Sequence, residues 1–366
     1  MSKPAIHQIM PGFLYGDALG NQAVRIRELL RSWGYRSQVY AQFRDRRLDD
    51  PGLDYHRYRD DPGDVLIFHY SIGSPVTGFV RKLAARVVPY YHNVTPPGYL
   101  RGYNEPLADL LEQGRQELAL FREAPFALAA SEYNRQEMLA LGFRQVEVLP
   151  YFITFDRLRA STEGPAGQAI TARYDDGAVN LLFVGRLVPN KRQDDLIRAF
   201  HAYHRLINPN SRLLLVGSDA NAPGYRLELE AMAEALGLAE QVHLPGAVGP
   251  REGLGGYYRA ADLFLSMSEH EGFCIPLLEA MAFDVPVLAY RATGVPYAMG
   301  NAGVQVNTKR YDLLAELIHL LVTNENLRPT LLAGQHRRLA DLSPEQVTAK
   351  LRVCVQMVDS QNPSPQ

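Results

Sequence analysis

Two doubly wound α/β domains, each built on a parallel sheet, are the architecture this sequence predicts. Three observations lead there. Short apolar runs alternate with longer helical patterns from end to end, and such alternation produces parallel strands joined by right-handed crossovers. Runs such as Leu181-Leu182-Phe183-Val184 and Leu213-Leu214-Leu215-Val216 are apolar without interruption, as expected of strands covered on both faces. The chain, at 366 residues, is too long for one ordinary core, so two domains are expected.

In the first half, strands are expected over residues 5–10, 37–40, 65–69, 86–91, 126–130 and 146–149, and helices over 21–33, 75–85, 105–121 and 131–140. Val24, Ile26, Leu29, Leu30 and Trp33 give the first helix an apolar face. Ser131 precedes its helix as an N-cap. The stretch 151–176 is rich in Gly, Thr, Ser and charge and reads as the linker. Strands then follow over 179–184, 212–216, 241–243, 263–266 and 285–289. The expected domains are 1–155 and 177–343, facing each other across a cleft. Ligands of such domains bind outside the C-terminal ends of the strands.

Composition excludes several classes. The chain is 46% hydrophobic and 21% charged, which is ordinary for a globular protein. A net charge of −2 and a pI near 6.6 argue against nucleic acid as a partner. Cys274 and Cys354 match no metal-ligand spacing and fit a reducing compartment. Met1-Ser2-Lys3-Pro4 opens no long apolar region, and no run of about 18 apolar residues exists. A cytoplasmic protein is expected.

The motifs fall at strand ends. Glu271 and Glu279 have seven residues between them, an interval holding the Gly272 turn and a helix expected to start at Pro276. Such a helix start offers free N–H groups to an anion, and carboxylates beside it suit hydroxyls rather than the anion. Together they describe a sugar nucleotide. Eight residues along one helix would part the carboxylates by roughly 12 Å, so nothing favours a glycosidase acid pair. Gly185-Arg186 and Lys191 follow the strand 179–184, with two cations suited to a diphosphate. Asn190 with Gln193 reads as a capping box. Val216-Gly217 and His243-Leu244-Pro245-Gly246 are further strand ends, the second able to read a base edge with its backbone. The loop Pro11-Gly12-Phe13-Leu14-Tyr15-Gly16-Asp17 lacks the dinucleotide fingerprint, yet its glycines admit close backbone approach to a ligand. His92 ends the strand 86–91, and His69 the one before it.

Taken jointly, these motifs resemble the GT-B-fold retaining glycosyltransferases of family 4, the glycosyl transferases group 1. The match runs over roughly residues 178–290: Gly185-Arg186 and Lys191, Val216-Gly217, Leu244-Pro245-Gly246, Glu271-Gly272-Phe273, then Glu279-Ala280-Met281-Ala282. The resemblance implies two Rossmann-like domains, with a C-terminal helix near 344–359 crossing back to the first. It implies transfer of a hexose from a nucleotide-diphosphate donor, such as a UDP- or GDP-hexose, with retention of configuration. No further cofactor and no metal is implied, because Arg186 and Lys191 would stabilise the leaving diphosphate. The backbone of Phe273, Cys274 and Ile275 would hold phosphate or sugar. Glu271 would meet the sugar hydroxyls, Glu279 the ribose, and His92 would lie near the reacting sugar. Gly16, Gly185, Gly217, Leu244 and Gly272 complete the implied donor site.

Departures from the pattern bear on donor identity. Cys274 stands for the usual glycine, Asp284 for another, Tyr297 for an acid, and Tyr151 for the residue after proline. A glycan, lipid-linked or small-molecule acceptor is expected. Arg31, Arg36, Arg44, Arg46, Arg47, Arg81, Lys82 and Arg86, with Trp33, Phe43 and Tyr90, suggest peripheral contact with anionic lipid at the inner membrane face. The alternative activity is a nucleotide-sugar epimerase of the same architecture.

Overall fold

Seven parallel strands form the sheet of the first unit: β1 (Ile6–Phe13), β2 (Val39–Arg44), β3 (Leu53–Asp54), β4 (Val65–Tyr70), β5 (Arg86–Tyr91), β6 (Ala127–Ala129) and β7 (Val146–Val148). Their order is β3-β2-β1-β4-β5-β6-β7. The computed structural model describes residues 4–14, 17–48 and 50–360. It places Met1–Pro96, Asp109–Ile153 and Leu342–Gln366 in the first unit, and Pro97–Ala108 and Thr154–Asp341 in the second. Helices α1 (Ala18–Ser32), α2 (Pro75–Val80), α3 (Glu105–Glu117) and α4 (Glu132–Ala140) lie among these strands in sequence.

Apolar burial explains the sheet. Met10, Phe13, Leu19, Ala23, Val39 and Ala41 pack as one cluster where α1 covers β1 and β2. Asp17 caps α1 by accepting from the Leu19 N–H at 2.5 Å, and Ser131 caps α4 through the Asn134 N–H at 3.2 Å. The helix expected over 75–85 stops at Val80. The Asp60 carboxylate takes the N–H groups of Ala84 and Ala85 at 2.7 and 2.9 Å. That local alternative competes with a further helical turn.

The second unit carries six parallel strands: β8 (Val179–Val184), β9 (Ser211–Val216), β10 (Val242–Gly246), β11 (Leu263–Ser266), β12 (Val287–Tyr290) and β13 (Val304–Val306). They run in the order β10-β9-β8-β11-β12-β13. Leu181, Leu182, Leu213, Leu214 and Leu215 are fully buried, as uninterrupted apolar strands require. The stretch read as a linker holds the passage from the first unit to the second, at Ile153 and Thr154, but most of it is helical. It folds into α5 (Asp156–Ala160) and α6 (Pro165–Tyr174). The Ser161 hydroxyl accepts from Gly255 N–H at 2.8 Å, and Arg159 donates to the Ala282 carbonyl at 3.0 Å. Both ties anchor the segment to the second unit's own body.

The remaining helices of that unit are α7 (Gln193–Leu206), α8 (Pro223–Ala235), α9 (Leu254–Ala260), α10 (Ile275–Ala282), α11 (Val295–Met299), α12 (Tyr311–Thr323) and α13 (Arg328–Asp341). The last helix, α14 (Pro344–Ser360), is grouped with the first unit. It buries Val347, Leu351, Val355 and Val358. Arg86 donates to its Val358 carbonyl at 2.8 Å, and the Tyr35 hydroxyl bonds Asp359. Among the described residues no helix is long and apolar enough to cross a membrane.

Candidate active site

Strand order in the second sheet reverses between β8 and β11. Open α/β sheets bind ligands outside the carboxyl ends of such a pair. Lys191 comes from the turn after β8, and Glu271 from the loop after β11. Lys191 Nζ lies 2.5 Å from Glu271 Oε2, with side chains only 14% and 7% exposed. The two residues picked out separately from sequence are thus one buried ion pair. Removing either partner would strand a buried charge, at a cost of about 3–5 kcal/mol.

The backbone around this pair is pinned. Asn190 donates its amide to the His270 carbonyl at 3.0 Å, and its own carbonyl accepts the Glu269 N–H at 2.9 Å. Gln193 donates to the Arg186 carbonyl at 2.9 Å. The expected capping box is therefore absent: both side chains tie loops together, and the N-cap of α7 is Arg192, in left-handed conformation. Thr293 accepts the Glu271 N–H at 2.8 Å and donates to the Glu271 carbonyl at 3.0 Å. The Gly294 N–H reaches the same carbonyl at 2.9 Å. A Cβ at Gly294 would lie 2.6 Å from the Gly272 carbonyl oxygen, so only glycine permits this approach.

Helix α10 starts one residue earlier than expected, so Pro276 is its second position and Cys274 is the N-cap. Cys274 holds φ 76° and ψ 68°, a left-handed conformation that costs a non-glycine residue about 1 kcal/mol. Its thiol faces Glu271 and Lys191. Burial, and then the Glu271 charge, push the thiol well above its ordinary pKa. Phe273 is buried, while Gly272 and Ile275 are half-buried. The first N–H groups of α10 lack partners within the helix by construction.

Glu279 is placed differently from Glu271. The Tyr258 hydroxyl of α9 donates to Glu279 Oε2 at 2.6 Å, and burial raises the carboxyl's pKa. Arg186 is exposed. Gly185 and Gly217 meet backbone to backbone, since a Cβ on Gly217 would fall 1.8 Å from the Gly185 carbonyl oxygen. The Leu244 carbonyl already accepts from Arg226 at 3.0 Å. Gly16 lies outside the described residues.

A charged cluster that the sequence did not reveal braces the same loops. Asp195 accepts from Lys309 at 2.7 Å, from Tyr311 at 2.7 Å and from Arg192 at 3.0 Å. Burial alone would raise its pKa, yet these donors hold the carboxyl below its ordinary value. Lys309 also pairs with Glu269 at 2.8 Å, which fixes the residue two before Glu271. Thr293, Tyr258 and Lys309 carry no recognisable spacing, so nothing in the sequence would have singled them out.

In the first unit His92 sits one residue past β5. His92 Nε2 lies 2.9 Å from His69 Nδ1, His69 Nε2 lies 2.9 Å from Gln8 Oε1, and His92 Nδ1 lies 2.9 Å from the Tyr151 hydroxyl. His69 is fully buried and His92 nearly so. Desolvation pushes His69 down to about 3 and His92 well below its ordinary value, with His69 adding to the latter. Tyr90, proposed above as a lipid contact, is fully buried and cannot serve. Phe43 is 62% exposed, whereas Arg47 pairs with Asp45 at 2.7 Å.

Residues 172–332 match the family model for glycosyl transferases group 1. The chain is 31% identical over 312 residues to a D-inositol 3-phosphate glycosyltransferase of Streptosporangium roseum, covering 80% of this chain and 69% of that protein. It is 33% identical over 239 residues to the protein of the same name from Segniliparus rotundus, covering 63% and 51% of the two chains. The chain thus spans about half the length of some curated relatives it matches. A crystal structure of a glycosyltransferase from Rickettsia africae superposes with a TM-score of 0.75 at 14% identity, over 98% of this chain and 100% of that one. The chain belongs to the glycosyl transferases group 1 family, and its two Rossmann-like units have the GT-B architecture. None of these relatives bears an epimerase name, and the epimerase alternative finds no support.

Proposed function

We propose that the protein transfers a hexose from a nucleotide-diphosphate sugar to an acceptor hydroxyl, with retention of anomeric configuration and without a metal ion. The observation that carries this reading is the buried Lys191–Glu271 pair at the β8/β11 switch, beside the start of α10. Breaking a sugar–diphosphate bond develops negative charge on the leaving phosphate. A fixed ammonium, the exposed Arg186 guanidinium and helix N–H groups stabilise that charge without a metal. Released from Lys191, the Glu271 carboxylate accepts hydrogen bonds from the sugar hydroxyls. Donor binding therefore exchanges one ion pair for two ligand contacts. The half-buried Glu279, held by Tyr258, takes the ribose in this reading.

The departing phosphate takes the acceptor proton, and the first unit supplies the acceptor side with His92 as an orienting group. D-inositol 3-phosphate is the first acceptor to test, because relatives of this chain carry it in their names. A glycan or lipid-linked alcohol is the next. Phe43 with the neighbouring Arg44 and Arg46 gives the first unit a surface for peripheral membrane contact, and we place the protein in the cytoplasm.

The test is a thermal-shift panel of nucleotide sugars, followed by product analysis with each acceptor. A true donor at 100 times its Kd raises stability by about 2.7 kcal/mol, and the product keeps the donor's anomeric configuration by NMR. A panel with no shift and no product overturns the reading. Activity that survives EDTA is expected, and its loss would refute the metal-free mechanism. Salt-sensitive pelleting with anionic liposomes is expected from the surface assignment; absence of pelleting would remove it.

A further inference from the structure

The polar chain through the first unit has a direction that its end groups impose. Gln8 Nε2 lies 3.0 Å from the Ala23 carbonyl, and a carbonyl only accepts. The Gln8 amide nitrogen therefore faces Ala23, and its oxygen faces His69. That oxygen also only accepts, so His69 Nε2 carries a hydrogen. Burial keeps His69 neutral, which leaves its Nδ1 as an acceptor. His92 Nε2, 2.9 Å away, must then be the donor. His92 is neutral for the same reason, so its Nδ1 accepts from the Tyr151 hydroxyl at 2.9 Å. Every bond runs one way, from Tyr151 through His92, His69 and Gln8 to Ala23. The two imidazoles lie nearly parallel, at an interplanar angle of 10°. Tyr90 packs on His92 at 4.1 Å between ring centroids and is itself fixed by Gln22 and the Leu149 carbonyl at 2.9 and 2.6 Å.

Core packing alone does not require this arrangement. Four polar side chains from β1, β4, the end of β5 and the segment after β7 occupy a buried path that apolar residues would fill at no desolvation cost. The chain crosses β1 and β4, which is where strand order reverses in this sheet, and ends at the strand-end histidine.

We infer that Gln8, His69 and Tyr151 are positioning residues that lock His92 as the Nε2-protonated neutral tautomer. With both ring nitrogens committed, His92 is not a general base, and its orientation is set from behind by the chain. The catalytic consequence rests on the transferase reading above; the tautomer itself does not.

The experiment has two arms. In the first, the full-length protein labelled with 15N-histidine is studied by NMR, with His92 assigned by comparison with His92→Gln. The expected signal is an unprotonated Nδ1 and a protonated Nε2, unchanged between pH 5 and 8. A His92 that titrates in that range, or that carries its proton on Nδ1, overturns the inference whether or not the protein transfers sugar. In the second arm, steady-state kinetics are measured for His69→Gln and His69→Leu. Gln keeps an acceptor for His92 Nε2 and a donor toward Gln8, whereas Leu only fills volume. Leu should lower kcat about ten-fold, with donor KM unchanged and Gln restoring most of the loss. Equal kcat for the two variants would reduce the chain to packing. An intact tautomer signal with no transfer in the wild type would refute the transferase reading alone.

Discussion

The Lys191–Glu271 region of the second unit and the His92 region of the first hold their polar groups by opposite means. In the second, Lys191 is set against Glu271, and Asp195 against Lys309 and Arg192. In the first, Gln8, His69, His92 and Tyr151 form a neutral chain whose bonds all point one way. A buried ion pair is costly to assemble and more costly to break, but it can exchange partners with a charged ligand. A neutral chain has no such exchange to make, and it fixes geometry instead.

The largest effects should come from the ion pair. Lys191→Ala is expected to lower kcat/KM by about 100-fold or more and to destabilise the fold by about 3–5 kcal/mol, because Glu271 is left buried and unpaired. The double variant Lys191→Met/Glu271→Leu should recover most of the stability and none of the activity. Urea unfolding and initial rates on the three proteins check this. A single variant of unchanged stability would mean that the pair is open to solvent, and the contrast between the units would fail.

The first unit should answer to pH instead. His69 is held neutral down to about 3, while its unfolded counterpart titrates near 6.5. The unfolded chain therefore binds more protons between these values. Stability from this residue is present above pH 6.5 and is lost as pH falls toward 3, with a slope of about 1.4 kcal/mol per pH unit. His69→Gln should remove one proton's worth of that slope, as measured by urea unfolding from pH 7 to pH 4.5. An unchanged slope would show that His69 is charged or hydrated in the folded protein.

A smaller effect is expected at Cys274. Cys274→Gly relieves the left-handed strain and should stabilise by up to about 1 kcal/mol, visible as a rise in Tm. The thiol beside Glu271 is also removed, so the range of donor sugars accepted should broaden. A lower Tm would mean that the thiol's contacts outweigh the backbone strain.

Much of this was legible in the sequence. The strands of both sheets announced themselves as apolar runs, because burial on both faces leaves no room for alternation. The glycine turns and cations followed those runs at the strand ends. The short strands β3 and β13 escaped, being two and three residues long. Helices α5 and α6 read as a linker because their stretch is rich in Gly, Thr, Ser and charge, and only contacts with α9 and α10 reveal the docking. Thr293 is a loop threonine until β12 brings it to the Glu271 backbone.

The sequence by itself determined the two-unit α/β plan and the family, and it singled out Arg186, Lys191, Glu271 and His92 as candidates. Each depends on local pattern and order along the chain. Tertiary structure alone decided that Lys191 and Glu271, 80 residues apart in sequence, form one buried pair. It also decided that Glu279 belongs to Tyr258, and that His92 is reached through His69 and Gln8. Side chains from different strands meet only when register and strand order are fixed. Those are set by the packing of the whole sheet and carry no local signature.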